Sequence, residues 1–280
     1  MTTEKSKEAQ VQEAVKPEPV KPEPPRRSVL KQCLVNMKDS KQTYLRALLY
    51  GVSGSGKTYT ARTLPHERTH LLLAEPKRLP LDGYDIDGTE INSWNATSAV
   101  FNEISMALKS GGLKINGRKK DILFIDSLTY INGLCKEHIV TRDRPALLVK
   151  NKKDLGCVYD EQLTVQDWGL LIARMNNLVS AFCHLPIHLI FTCHEKWTTE
   201  EATGLTKKTP LLNGALSLTI SHHFDIVFHQ KMSDIDGQIA TEFETHGTPT
   251  MIAKGQDKLD ATEPADWTAI LQKLFGKRGK

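Results

Sequence analysis

Gly51-Val52-Ser53-Gly54-Ser55-Gly56-Lys57-Thr58 has the residue types and spacing of a phosphate cradle. Its glycines let the backbone curl until successive N–H groups face one point, and a helix opening there adds its positive end. In that arrangement Lys57 reaches the β- and γ-phosphates, and the Thr58 hydroxyl is a ligand for Mg²⁺. A second group belongs with it. Asp126 ends the apolar run Asp121-Ile122-Leu123-Phe124-Ile125, as a carboxylate does at the C-terminal edge of a buried parallel strand. Beside the cradle it would hold the Mg²⁺ through water. Together these residues imply a nucleoside triphosphate with Mg²⁺ as ligands.

The elements that must position them are legible on either side. Tyr44 to Tyr50 is an apolar run that reads as the strand before the cradle, and Thr58 to Leu64 opens a helix that Pro65 ends. His70 to Glu75 is a second buried strand, stopped by Pro76, and Glu90 to Trp94 a short third. Ala99, Phe101, Ile104, Met106 and Leu108 give a helix closed by Gly111-Gly112. After the Asp126 strand comes a helix from about Thr129 to Val140. Val165 to His184 is an amphipathic helix with Trp168, Leu171, Met175, Leu178 and Phe182 on its apolar face.

Pro186 to His194 is another buried strand, followed by a polar segment from Glu195 to Pro210 and an apolar helix near Gly214–Ile220. Asp225 to Lys231 and Ile239 to Thr245 make a hairpin across Asp236-Gly237. Thr250 to Lys254 reads as a last strand, and Trp267 to Phe275 as a terminal helix with a basic end. Strands alternating with helices and then running β-rich predict an α/β fold. The sheet is mostly parallel, flanked by helices, with an antiparallel β extension.

Composition bounds the rest. A chain of 280 residues, 39% hydrophobic and 25% charged, can bury one substantial core. Its apolar runs are far shorter than the ~20 residues that span a bilayer, and its first residues lack a leader's apolar stretch. A cytoplasmic location is therefore expected, without membrane partners. Cys33, Cys135, Cys157, Cys183 and Cys193 are odd in number and lack CxxC spacing, which suits reduced thiols rather than a disulfide frame or a zinc site. Residues 1–28 stand apart: Lys16 to Pro25 holds five of the thirteen prolines, mixed with Lys and Glu. Such a segment cannot offset its ordering entropy by apolar burial, so an extended, disordered arm is expected. The core then spans residues 29–260, and residues 261–280 supply the final helix and basic tail.

Other residues narrow the class. Asn151-Lys152-Lys153-Asp154 spells the guanine-reading N-K-x-D, but it falls in a basic stretch and not at the end of an apolar strand. A small-molecule kinase would call for an arginine-rich lid. The chain instead resembles the RecA-like core ATPases, and most closely the short phage-type proteins of single-strand annealing and recombination. The resemblance spans roughly Leu45 to Asp260. It is carried by the phosphate loop, Leu73-Ala74-Glu75, Ile125-Asp126-Ser127-Leu128-Thr129, Gln166-Asp167-Trp168, Thr192-Cys193-His194 and Ala253-Lys254.

That resemblance implies an ATPase using ATP and Mg²⁺ and stimulated by DNA. It makes Glu75 the carboxylate that polarises the attacking water, a positioning role that fits phosphoryl transfer. It makes His194 the polar sensor of the γ-phosphate, a group able to donate a hydrogen bond in either protonation state. Two basic segments fall where such proteins bind single-stranded DNA: residues 141–162, with Arg142, Arg144, Lys150, Lys152 and Lys153, and Glu195–Leu212, with Lys196, Lys207 and Lys208. Clustered cations suit a phosphate backbone, and Tyr159 and Trp197 offer stacking faces.

Lys254 matches the first residue of a Lys-x-Arg that reaches a neighbour's γ-phosphate in related rings and filaments. Gln256 stands where the arginine would be, and Lys231 is the other candidate. The resemblance thus implies a homo-oligomer on single-stranded DNA, with an ssDNA-binding protein as a further partner, in a bacterial host cell if the chain is phage-encoded. Two rival readings remain: an oligomeric motor or helicase subunit, and a nucleotide-gated assembly protein that hydrolyses little ATP.

Overall fold

Alternation of buried side chains along five central strands is the organising feature of the fold. In the computed structural model, which describes residues 43–143, 163–199, 204–235 and 238–276, these strands are buried on both faces. Residues 1–42, 144–162, 200–203, 236–237 and 277–280 lie outside the described residues, as do the side chains of residues 142, 143 and 235.

The elements follow in chain order: β1 (Arg46–Gly51), a 3-10 helix (Thr58–Thr63), β2 (Thr69–Leu73), β3 (Asp87–Glu90), α1 (Trp94–Lys109), β4 (Leu113–Ile115), β5 (Arg118–Lys120), β6 (Ile122–Asp126) and α2 (Leu128–His138). After a π-helical turn (Ile139–Asp143) come α3 (Val165–Cys183), β7 (His188–Thr199), β8 (Thr206–Pro210), α4 (Leu216–Thr219), β9 (Ile226–Ile235), β10 (Gln238–Glu244), β11 (Thr262–Pro264) and α5 (Trp267–Phe275). The main sheet runs β11-β10-β9-β1-β7-β6-β2-β3, with β8 paired to the far end of β7. From β9 to β3 neighbours are parallel; β9, β10 and β11 extend the sheet antiparallel. This is the expected α/β architecture.

Period-two alternation divides the core. Leu48, Tyr50, Leu123, Ile125, Leu189 and Phe191 face α1, α2 and α3, while Ala47, Leu49, Ile122, Phe124 and Ile190 face α5 and the 3-10 helix. Each such large apolar side chain contributes about 1.5–3 kcal/mol when fully buried. On the second face Trp267 is fully buried, stacks at 5.9 Å on Phe228, and donates its indole N–H to Thr60 Oγ1 at 3.0 Å. The terminal helix therefore braces the helical turn that follows the phosphate loop.

Local signals explain the helix starts. Ser93 caps α1 by accepting from Ala96 N, Ser127 caps α2, and Thr164 forms a capping box with Asp167 at the start of α3. Trp168 packs partly buried against the core, as an anchor.

Several expectations are corrected. The third strand is Asp87–Glu90, because Ser93 takes Trp94 into α1. Glu195 to Pro210 is no irregular loop: β7 continues to Thr199 and pairs with β8, Trp197 opposite Lys208. Thr250–Lys254 makes only isolated bridges, such as Val227 with Lys254, and the last strand is β11. The β4–β5 hairpin was not anticipated. The proline-rich arm, Asn151–Asp154 and Tyr159 lie outside the described residues. Among the described residues no helix is long and apolar enough to cross a membrane.

Candidate functional site: a nucleotide cradle at the sheet's carboxyl edge

Strand order brings the chemistry together. The phosphate-loop strand β1 and the Asp126 strand β6 are separated by β7, and β2 lies beyond β6. In register, Gly51 lies beside His194 and Leu73 beside Asp126. One edge thus carries the phosphate loop, His194, Asp126 and Glu75, where ligands of open parallel sheets bind.

The loop after β1 turns on Gly54 and Gly56, at φ 83° and 86°, in the left-handed region that side chains avoid. Gly51 is required for another reason. A Cβ there would stand 2.9 Å from the Gln230 carbonyl oxygen. Inside the loop the Lys57 ammonium donates to the carbonyls of Gly51 (3.0 Å) and Val52 (2.8 Å). Burial lowers its pKa, opposed by Asp126. An anion in this cradle would replace carbonyl partners with a stronger one.

Asp126 is buried between two hydroxyls. Thr58 Oγ1 donates to its Oδ2 at 2.6 Å, and Thr192 Oγ1 donates to its Oδ1. Burial raises its pKa, with both hydroxyls opposing. A divalent cation beside Thr58 would supply the charge that this carboxylate lacks. The residues fit a Mg²⁺-bound nucleoside triphosphate: loop N–H groups and Lys57 for the phosphates, Thr58 and Asp126 for the metal.

Glu75 follows β2, tied in by its N–H to the Asp126 carbonyl at 3.2 Å. Ser127 Oγ donates to Glu75 Oε1 at 2.7 Å, and His194 Nε2 lies 2.8 Å from the same oxygen. Burial pushes this carboxyl up, but the bonds from His194 and Ser127 outweigh it and hold it below the ordinary value. Two donors thus orient the Glu75 carboxylate.

The structure therefore brings Gly51–Thr58, Glu75, Asp126 and His194 into one constellation. It also shows residues that sequence reasoning missed. Ser127 and Thr192 complete the shells of Glu75 and Asp126. On β9, His229 lies between Glu195 and Glu244, 2.6 Å from each, and Gln230 Nε2 donates to the Ser55 carbonyl at 2.7 Å. A polar His-Gln pair after the apolar Ile226-Val227-Phe228 was the available signal.

The remaining candidates that the structure describes make other contacts. Lys196 is half-buried and donates to the Leu212 carbonyl at 2.6 Å, so it ties the hairpin to its own loop instead of presenting a cation. Lys208 Nζ lies 5.5 Å from the ring of Trp197, which is 61% exposed, and Lys207 is on the opposite face of β8. Arg144, Lys150, Lys152 and Lys153 fall outside the described residues, and of Arg142 only the backbone is described. Lys254 is exposed and donates to the Phe224 carbonyl of its own chain at 2.7 Å. Lys231 is exposed on β9, paired across from Glu242. Burial pushes the Cys193 thiol up to about 11 and Cys183 up to about 12; with Cys135 they are free thiols, and Cys33 and Cys157 fall outside the described residues.

A sheet edge that gathers a glycine-turned phosphate loop, a metal-side carboxylate and an oriented glutamate defines a P-loop ATPase domain. The chain belongs to the AAA domain family, whose model matches residues 43–262. No curated protein matches it. Among solved structures, it is similar to a KaiC-like protein from the hyperthermophilic archaeon Pyrococcus horikoshii OT3, at 12% identity and a TM-score of 0.38, over 78% of this chain and 82% of that one.

Proposed function

We propose that this chain hydrolyses ATP with Mg²⁺ and binds single-stranded DNA, as an oligomeric protein of DNA recombination or strand annealing. Lys57 and the loop N–H groups hold the phosphates, Thr58 and Asp126 hold the metal, and Glu75 orients the attacking water. The resemblance to phage-type recombination proteins supplies the DNA reading.

One observation carries the connection between the two activities. His194, bonded to Glu75, and Trp197, exposed beside Lys208, belong to the same strand, β7. A single-stranded backbone lying on Lys208, with a base on Trp197, would act on the strand whose His194 is bonded to Glu75. The deciding experiment is steady-state ATP turnover with ssDNA, with dsDNA and with no DNA. Stimulation by ssDNA above both other conditions supports the reading; a rate indifferent to DNA removes it.

A second reading has its own support. Glu75 accepts from both Ser127 and His194, and Lys254 is bonded within its own chain. Both facts favour a nucleotide-gated assembly protein that turns over slowly until its partners rearrange these contacts. Turnover that stays near zero with every DNA, while ATP still drives oligomer formation, selects it.

A further inference from the structure

A cavity of about 480 Å³ opens beside the catalytic edge, between α2 and the turn Leu211–Asn213 that follows β8. Its volume is in the range of small-molecule sites, roughly 300–1,000 Å³. Leu211, Leu212 and Val140 give it apolar surface, while Thr129, Asn132 and Lys136 give it polar edges.

Two independent features mark it as more than a packing gap. Asn132 lines it and is 5% exposed, yet its Oδ1 has no hydrogen-bond partner. Buried acceptors are nearly always satisfied, so an orphan calls for a donor that is missing from the chain itself. Gly133, its neighbour, also lines the cavity. A Cβ there would meet nothing within 4 Å, although glycine inside a helix is costly compared with alanine. Packing does not require that glycine, and the position has room for a larger side chain.

The position suggests the ligand. The cavity lies at the root of the β7–β8 hairpin and ends at Thr141, where the basic segment 141–162 begins. Both segments are the proposed DNA contacts. An unpaired nucleobase has the required chemistry: a planar body for apolar walls and ring or exocyclic N–H donors for an acceptor. Thr129 connects the cavity to catalysis. Its hydroxyl donates to the Leu211 carbonyl at 3.2 Å and accepts from the His194 N–H at 3.0 Å. We infer that this cavity takes one unpaired nucleobase, which donates an N–H to Asn132 Oδ1. The inference rests on the ssDNA reading for the source of the base, though not for the site itself.

The test uses the full chain and two variants. Gly133→Leu fills the cavity from a helical position with room for the side chain. Asn132→Leu removes the acceptor, and since that acceptor is unpaired its thermal stability should equal or exceed that of the wild type. Each protein is titrated, with a non-hydrolysable ATP analogue and Mg²⁺ in the nucleotide site, against thymidine and deoxycytidine, then against an intact oligonucleotide and an abasic one of equal length. We expect the wild type to bind both nucleosides and to prefer intact over abasic strand by about tenfold, the loss typical of one enclosed hydrogen-bonded group. Both variants should drop to the abasic level, and Gly133→Leu should lose nucleoside binding.

Folded variants that bind intact strand as the wild type does overturn the base site and leave the ssDNA reading in place. Nucleoside binding that Gly133→Leu abolishes, with no oligonucleotide binding in any protein, sustains the site and overturns the ssDNA reading. Binding of neither nucleoside nor strand by the wild type overturns both.

Discussion

His194 Nε2, on β7, lies 2.8 Å from Oε1 of Glu75, which follows β2, and β6 runs between those two strands. A carboxylate acceptor requires the hydrogen on Nε2, so the pair fixes the histidine's tautomer as well as the glutamate's direction. His194 and Glu75 thus form one hydrogen-bonded unit. Glu75→Gln should keep ATP affinity and lose turnover by about 10²-fold or more, the range for a positioned base. His194→Ala should bring the ratio of DNA-stimulated to basal turnover close to one, whereas His194→Gln, which still donates, should retain part of it. Turnover of Glu75→Gln near the wild-type rate would move the base elsewhere.

Lys57 is the cradle's buried ammonium, held by the carbonyls of Gly51 and Val52. Lys57→Ala should abolish tight ATP·Mg²⁺ binding in a calorimetric titration. Asp126→Asn should retain nucleotide contacts and shift half-maximal Mg²⁺ to higher concentration, since Thr58 then faces a neutral amide.

Much of this site was legible because its parts lie next to one another in sequence. The phosphate loop needs its glycines, lysine and threonine in one run, and Asp126 ends an unbroken apolar strand. The shells around them come from distant segments. Thr192 meets Asp126, and Gln230 meets Ser55, only through the strand order β9-β1-β7-β6, which periodicity does not encode. Threonine and charge between Glu195 and Pro210 looked like loop composition. The segment is a hairpin because Thr198 and Thr209 bond across it and Trp197 shelters Lys208, pairings made between strands. Trp267 read as part of a terminal helix, but its partners Thr60, Phe228 and Phe243 are all far away in sequence.

Stability should depend on pH through a residue far from catalysis. His70 is 2% exposed, and burial, aided by the Lys120 charge, pushes its pKa down from 6.5 to about 4, against Asp87. A depressed pKa means that the unfolded chain binds the proton first. The stabilising contribution is complete above pH 6.5 and is lost as pH falls toward 4, reaching roughly 3 kcal/mol. Denaturant titrations of the wild type and His70→Gln at pH 7.5 and 4.5 measure it: the wild type should lose more stability than the variant. Equal losses would place the titration elsewhere.

Salt should report the DNA surface. Each phosphate neutralised on a single strand contributes a slope of about −0.7 in log affinity against log salt. Lys207 and Lys208 lie on opposite faces of β8, so a strand following one face engages one of them. Lys208→Ala also uncovers Trp197, and should flatten the slope and weaken stacking together. Lys207→Ala should flatten the slope alone if the strand wraps the hairpin. ATP binding without DNA should be unchanged in both; unchanged slopes would leave these lysines as solvated surface.

Hydrolysis at a shared interface is the most demanding expectation. A loose phosphoryl-transfer transition state gains from added positive charge, and within one chain the cradle supplies Lys57. Lys254 is exposed, on a segment bridged to Val227, and its ammonium is bonded to the Phe224 carbonyl. To serve a neighbour it must exchange that bond for a phosphate oxygen, a charge-assisted partner of about twice the strength. Gln256 donates to the Asp225 carbonyl and carries no charge, so the help from Lys254 should be modest, about tenfold in turnover. Mixing Lys254→Ala with Glu75→Gln subunits tests this directly. Interfaces of one orientation pair an intact Glu75 with an intact Lys254, so activity should recover above that of either variant alone. Assembly without recovery, or normal turnover by Lys254→Ala, would reject a shared site built on Lys254, and Lys231, exposed on β9 one residue beyond Gln230, would be tested next.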